Sequence, residues 1–225
     1  MDPKLQLKPI ELLDIGIDKH TKIPVPILND NMVSTFDMDN GVPSDSFVLT
    51  FDANYSNKIF SSTITSSYLM NLSFDYGDGV TESWLITTGG TSITHTYASA
   101  ITYTITATGW IEKITSLMIL PASGTGGLTS ASISKIKTLS YLNLTNNRLT
   151  KFSLDGLIYL NTITLTDNYF PNDVIDDLYI EADTFLTFGG NMITTGTNNG
   201  KPSVYSLASR NSLSINKLWT LSYNT

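Results

Sequence analysis

Between Leu139 and Phe170 an eleven-residue pattern of apolar and polar positions occurs twice. Leu139, Leu142, Leu144, Asn147 and Leu149 occupy positions 1, 4, 6, 9 and 11 of the first copy, and Leu160, Ile163, Leu165, Asn168 and Phe170 those of the second. Side chains alternate along a strand, so positions 4 and 6 share one side of it. A unit this short buries that side only against its neighbours. The spacing therefore predicts Leu142 and Leu144 stacked on Ile163 and Leu165. Asn147 and Asn168 follow at inward turns, where a carboxamide satisfies backbone groups that stacking leaves dry. They are expected to be structural.

The register extends in both directions. Leu186, Phe188, Asn191 and Ile193 fit positions 4, 6, 9 and 11 of a third copy, with Asp183 at position 1, and Trp219, Leu221 and Asn224 fit positions 4, 6 and 9 of a last one. Upstream, Ile114, Leu117 and Ile119 fit positions 1, 4 and 6, with Ala122 in the asparagine's place, which suits an entry cap. Five stacked strands from about Ile114 to Thr225 are predicted, with Asn191 and Asn224 as further structural asparagines. Asn172 to Ile180 reads as a short helix begun by Pro171 and Asn172, with Asp173 and Asp176 in its first turns. A second helix is predicted from Ser203 to about Asn211, with Val204, Leu207 and Ala208 inward.

Residues 46–112 show a different period. Phe47–Phe51 and Leu69–Phe74 are apolar and β-prone, and in Ile101–Ala107 Tyr103, Ile105 and Ala107 alternate with Thr102, Thr104 and Thr106. One face of that strand is expected to be buried and the other wet. Gly77-Asp78-Gly79, Gly89-Gly90 and Ala98-Ser99-Ala100 separate the strands, a spacing that indicates a small β-sandwich. Residues 1–45, interrupted by Pro3, Pro9, Pro24 and Pro26, read as an extended arm, either packed on the sandwich or docked on a neighbouring subunit. The predicted fold is mainly β: arm 1–45, sandwich 46–112, and a strand stack over 113–225 with one or two short helices.

Two family resemblances rest on these motifs. The eleven-residue pattern resembles the leucine-rich repeat, whose units recur every 20 to 29 residues; here the asparagines at 147 and 168 stand 21 apart. Phe74-Asp75-Tyr76-Gly77-Asp78-Gly79, His95-Thr96-Tyr97 and Tyr103-x-Ile105-x-Ala107 resemble the PKD-type Ig-like sandwich domain, with Phe74 where that family has tryptophan. The PKD resemblance implies a spacer or ligand-presenting role. The two together resemble proteins of tailed bacteriophages, and imply a capsid decoration or tail-associated subunit.

Composition narrows the chemistry. There are no cysteines and only His20 and His95, so thiolate chemistry and the usual zinc ligand sets are excluded. The net charge is −7 with 15% charged residues, and without a basic stripe phosphate-driven nucleic-acid binding is disfavoured. No apolar run reaches membrane-spanning length, and the first residues do not read as a secretory signal. Asp75 and Asp78 read as turn carboxylates ahead of a weak calcium site, because hard cations want ~6 to 8 oxygens. His95 reads as a structural hydrogen-bonder. The sequons at Asn54, Asn71 and Asn143 read as chance matches.

No catalytic residues, metal or cofactor are expected. The candidate binding surface is the outward row of the stack: Tyr141, Asn143, Thr162, Thr164, Phe185, Thr187, Leu218 and Thr220, with Tyr141 and Phe185 as anchors. The expected role is a non-enzymatic virion component made in the host cytoplasm, contacting other virion proteins through residues 1–45. The alternative is a module that binds a host glycan or surface protein.

Overall fold

The structure is a computed structural model that describes residues 45–186 and 189–225. Of the expected arm only Asp45 falls within them. The described chain is mainly β, with two sheets. The strands are β1 (Ser46–Asp52), β2 (Ile59–Ser66), β3 (Met70–Asp75), β4 (Thr81–Ile86), β5 (Thr91–Thr96), β6 (Thr102–Gly109), β7 (Ile114–Ile119), β8 (Leu128–Ser132), β9 (Tyr141–Asn143), β10 (Thr162–Thr164), β11 (Gly190–Ile193) and β12 (Trp219–Ser222). Helix α1 covers Asn172–Phe185 and α2 covers Leu207–Asn211.

The first sheet has the order β4-β3-β6-β1-β8 and the second β12-β11-β10-β9-β7-β2-β5. Their facing sides follow from alternation. Phe47, Leu49 and Phe51 of β1, Leu72 and Phe74 of β3, and Tyr103, Ile105 and Ala107 of β6 are buried, and so are Phe60 and Ile64 across the gap on β2. Phe51 meets Phe60 edge-on with ring centroids 5.5 Å apart, joining the sheets.

β7 changes the sense of the second sheet. It pairs antiparallel with β2 and parallel with β9, where Leu117 stands opposite Leu142. From there β9, β10, β11 and β12 run parallel. Residues 112 and 113 lie in a 3-10 turn (Ile111–Lys113) that links β6 of the first sheet to β7 of the second. Two strands beyond it, β7 and β8, pair with β2 and β1.

Leu142, Leu144, Ile163 and Leu165 are buried as the pattern requires, with Leu139, Leu149, Leu160 and Phe170. The third unit departs from the expected register. Helix α1 runs on to Phe185, so Leu186 is the residue that caps it, and its N–H bonds the Ala182 carbonyl. The strand begins later, with Met192 opposite Ile163 and Met192 and Thr194 as the buried pair. The last unit shifts as well: Leu221, not Trp219, stands opposite Met192. Phe188 lies outside the described residues.

The segment after Pro202 also differs from expectation. A tight 3-10 turn (Val204–Ser206) leads into α2, and a wider π turn (Ser212–Asn216) follows it. Val204, Leu207 and Ala208, expected inward, are exposed. The cause is Asp176, on the buried face of α1. Its carboxylate takes the Ser203 N–H at 2.8 Å and the hydroxyls of Ser203 and Ser206. An unpaired buried charge is costly, so the polar face turns inward and the apolar face outward.

Candidate functional site

The asparagine ladder positions the turns between the parallel strands. Asn147 Nδ2 donates to the carbonyls of Ile119, Leu144 and Thr145, and its Oδ1 accepts the Leu128 N–H. Asn168 does the same one unit on, to Leu144, Leu165 and Thr166, accepting from Leu149. The third rung is Asn199, which donates to Leu165, Thr194 and Thr195 and accepts from Phe170. Asn191, expected in this role, faces outward opposite Thr162 and Thr220. Asn224, also expected to be structural, closes the last turn: its Oδ1 accepts the Gly196 N–H and its Nδ2 donates to the Gly196 and Asn199 carbonyls.

With the ladder holding the turns, the strands present a continuous outward face. One row of register partners runs Thr65, Ser116, Tyr141, Thr162, Asn191 and Thr220. The next runs Ser92, Thr63, Met118, Asn143, Thr164, Ile193 and Ser222 across all seven strands. At ~4.8 Å per strand that row spans roughly 29 Å. Neither row contains a charged side chain, and hydroxyls and carboxamides dominate both.

Of the expected site residues, the structure brings together Tyr141, Asn143, Thr162, Thr164 and Thr220. Phe185 belongs to α1 and does not join the row. Leu218 precedes β12 in the left-handed conformation (φ 58°) and is 71% exposed. Thr187 lies outside the described residues. The strands of β2, β5 and β7 contribute Thr63, Thr65, Ser92, Ser116 and Met118, which sequence reasoning missed. The Thr63-Ile64-Thr65 alternation marks one such face, but nothing local shows that β2 shares a sheet with the repeats.

The motif residues of the other half are engaged structurally. Asp75 Oδ1 accepts the Gly77 N–H at 2.9 Å and Asp78 Oδ1 the Val80 N–H at 3.0 Å, the geometry of turn carboxylates. His95 Nε2 lies 2.8 Å from Asp78 Oδ2, and its ring stacks on Tyr76 with centroids 3.9 Å apart. Burial alone would raise the Asp78 pKa; the bonds from His95 and Val80 outweigh it and hold the carboxyl below its ordinary value. Burial pushes the hydroxyls of Tyr76 and Tyr97 well above the usual phenol range. Among the described residues no group of three or more His, Asp or Glu side chains could hold a metal ion.

A cation–π sandwich ties the β1–β2 turn to the repeats. The Arg148 guanidinium lies 3.6 Å from the Tyr55 ring centroid and 4.7 Å from that of Tyr169. Sequence gave no signal of it, because the three residues lie in separate turns. Among the described residues no helix is long and apolar enough to cross a membrane. Compared with known proteins, the chain matches no protein-family model, no curated protein and no solved structure.

Proposed function

We propose that the chain is a non-enzymatic structural component of a bacteriophage virion, a PKD-type sandwich running into a short leucine-rich-repeat stack, with the outward sheet face as its contact surface. The observation that carries the contact role is the uncharged row from Ser92 to Ser222 across seven hydrogen-bonded strands. A rigid sheet loses little freedom when it binds, so flat contacts on it are preorganised. The Asp78–His95 pair and Asp176 are committed to turns and to a helix contact, which supports a non-catalytic reading. The virion assignment rests on the motif resemblances and on a Thr-rich, cysteine-free chain.

Mass spectrometry of density-purified particles, from a phage whose genome carries this coding sequence, tests the assignment. The chain is expected to co-sediment with the particles at fixed stoichiometry. Its presence only in the unassembled fraction would reject the reading.

The hydroxyl and carboxamide face with Tyr141 at its centre favours a second reading, attachment to a host glycan. On a bacterial glycan array, binding that is lost with Tyr141→Ala would support attachment. A blank array would leave assembly as the role of the face.

A further inference from the structure

The chain from Val204 to Leu218 carries an apolar surface that the core does not use. Asp176 and Ser206 draw one side of this helical segment inward, together with Leu213. Helical spacing then places Val204, Leu207 and Ile215 on the opposite side. With Tyr205 and Leu218 they are between 45% and 86% exposed. Five side chains of this size leave roughly 600 to 700 Å² accessible, above the few hundred Å² common on monomers and near the ~800 Å² each partner gives to a standard interface.

Leu218 adds a second sign. Its φ of 58° is a conformation that glycine takes without strain, yet a leucine stands there with 71% of its surface exposed. Two neighbouring cations, Lys217 and Arg210, are engaged by other groups. Lys217 Nζ is held 3.5 Å from Asp183 Oδ1 and 3.1 Å from the Leu186 carbonyl, and Arg210 donates to the Ser203 carbonyl at 2.7 Å and the Tyr223 hydroxyl at 3.1 Å. Between them the exposed polar residues are Asn211, Ser214 and Asn216. An uncharged apolar helical face can meet a copy of itself across a two-fold axis without like-charge repulsion.

We propose that this face is a self-association surface through which two copies of the chain pair. The pairing uses residues outside the two outward rows and stands whether or not the virion reading holds.

Sedimentation velocity on the full chain tests it. The wild type is expected to convert from monomer to dimer as concentration rises to about 100 µM. Val204→Asp/Ile215→Asp, both at exposed positions, is expected to weaken pairing by roughly 100-fold or more with unchanged circular dichroism. Leu218→Gly is expected to keep the fold and weaken pairing about tenfold. A wild type that stays monomeric overturns the proposal, whether the patch is then covered within the chain or by another protein. A dimer that survives the double substitution overturns it too.

Discussion

Asn168 Nδ2 donates to the carbonyl of Leu144 across 2.9 Å and 24 residues of chain. Without that bond, and its companions to Leu165, Thr166 and Leu149, the buried Leu149 N–H would lose its acceptor, and the carbonyls of Leu144, Leu165 and Thr166 would keep one donor each, from Asn147, Asn199 and Asn146. A buried group left unsatisfied costs ~1 to 3 kcal/mol. Asn168→Ala is therefore expected to lower unfolding free energy by roughly 3 kcal/mol, and Asn199→Ala by a similar amount, in urea titrations. Asn191→Ala, on the outward face, is expected to stay within about 0.5 kcal/mol.

Asp176 gives a pH signature. Burial alone would raise its pKa, but the Ser203 and Ser206 hydroxyls, the Ser203 N–H and the Arg210 charge outweigh it and hold the carboxyl below its ordinary value of 3.8. A carboxyl depressed in the folded state contributes its stability in full above the unfolded value and loses it as pH falls through the folded one. Asp78 acts in the same direction. Thermal unfolding followed against pH should show Tm dropping below about pH 4. In Asp176→Asn that drop should be shallower and Tm at pH 7 lower.

Gly77 and Gly79 separate backbone strain from crowding. Both have positive φ (77° and 91°), but a Cβ at Gly77 would lie 2.4 Å from the Thr104 carbonyl oxygen, whereas one at Gly79 meets nothing within 4 Å. Gly77→Ala is expected to cost roughly 3 kcal/mol or more, and Gly79→Ala about 1 kcal/mol. Equal costs in chemical denaturation would mean that the turn does not approach β6 this closely.

Arg148 stacks between Tyr55 and Tyr169. A lysine keeps the charge but not the planar stacking, so Arg148→Lys is expected to cost about 1 kcal/mol. The cost should largely vanish in the Tyr55→Ala/Tyr169→Ala background, a double-mutant cycle that isolates the stacking.

The repeat positions in β9 and β10 were legible because leucine, isoleucine and asparagine fall at fixed offsets there. The third unit was not, for two physical reasons. Threonine stands at its second buried position, with the Thr194 hydroxyl 2.9 Å from that of Tyr179. Its asparagine also follows five residues after Thr194, where three separate Asn147 from Leu144. Hydrophobicity alone turns the helix face at Val204 the wrong way. Asp176, 27 residues before Ser203, decides the orientation by demanding hydroxyl donors. The site was legible only in its repeat half, since a long-range pairing such as β2 with β7 leaves no local trace.

β7 accepts β2 on one side and offers β9 a parallel edge on the other. Growth of the stack is thereby confined to one direction, away from β2 and β5. Inserting a further 21-residue unit would lengthen the face by one strand, about 4.8 Å, while every contact on the β2 side stayed as it is. The reach of the surface is thus a quantity that evolution, or an engineer, can set in whole-strand steps.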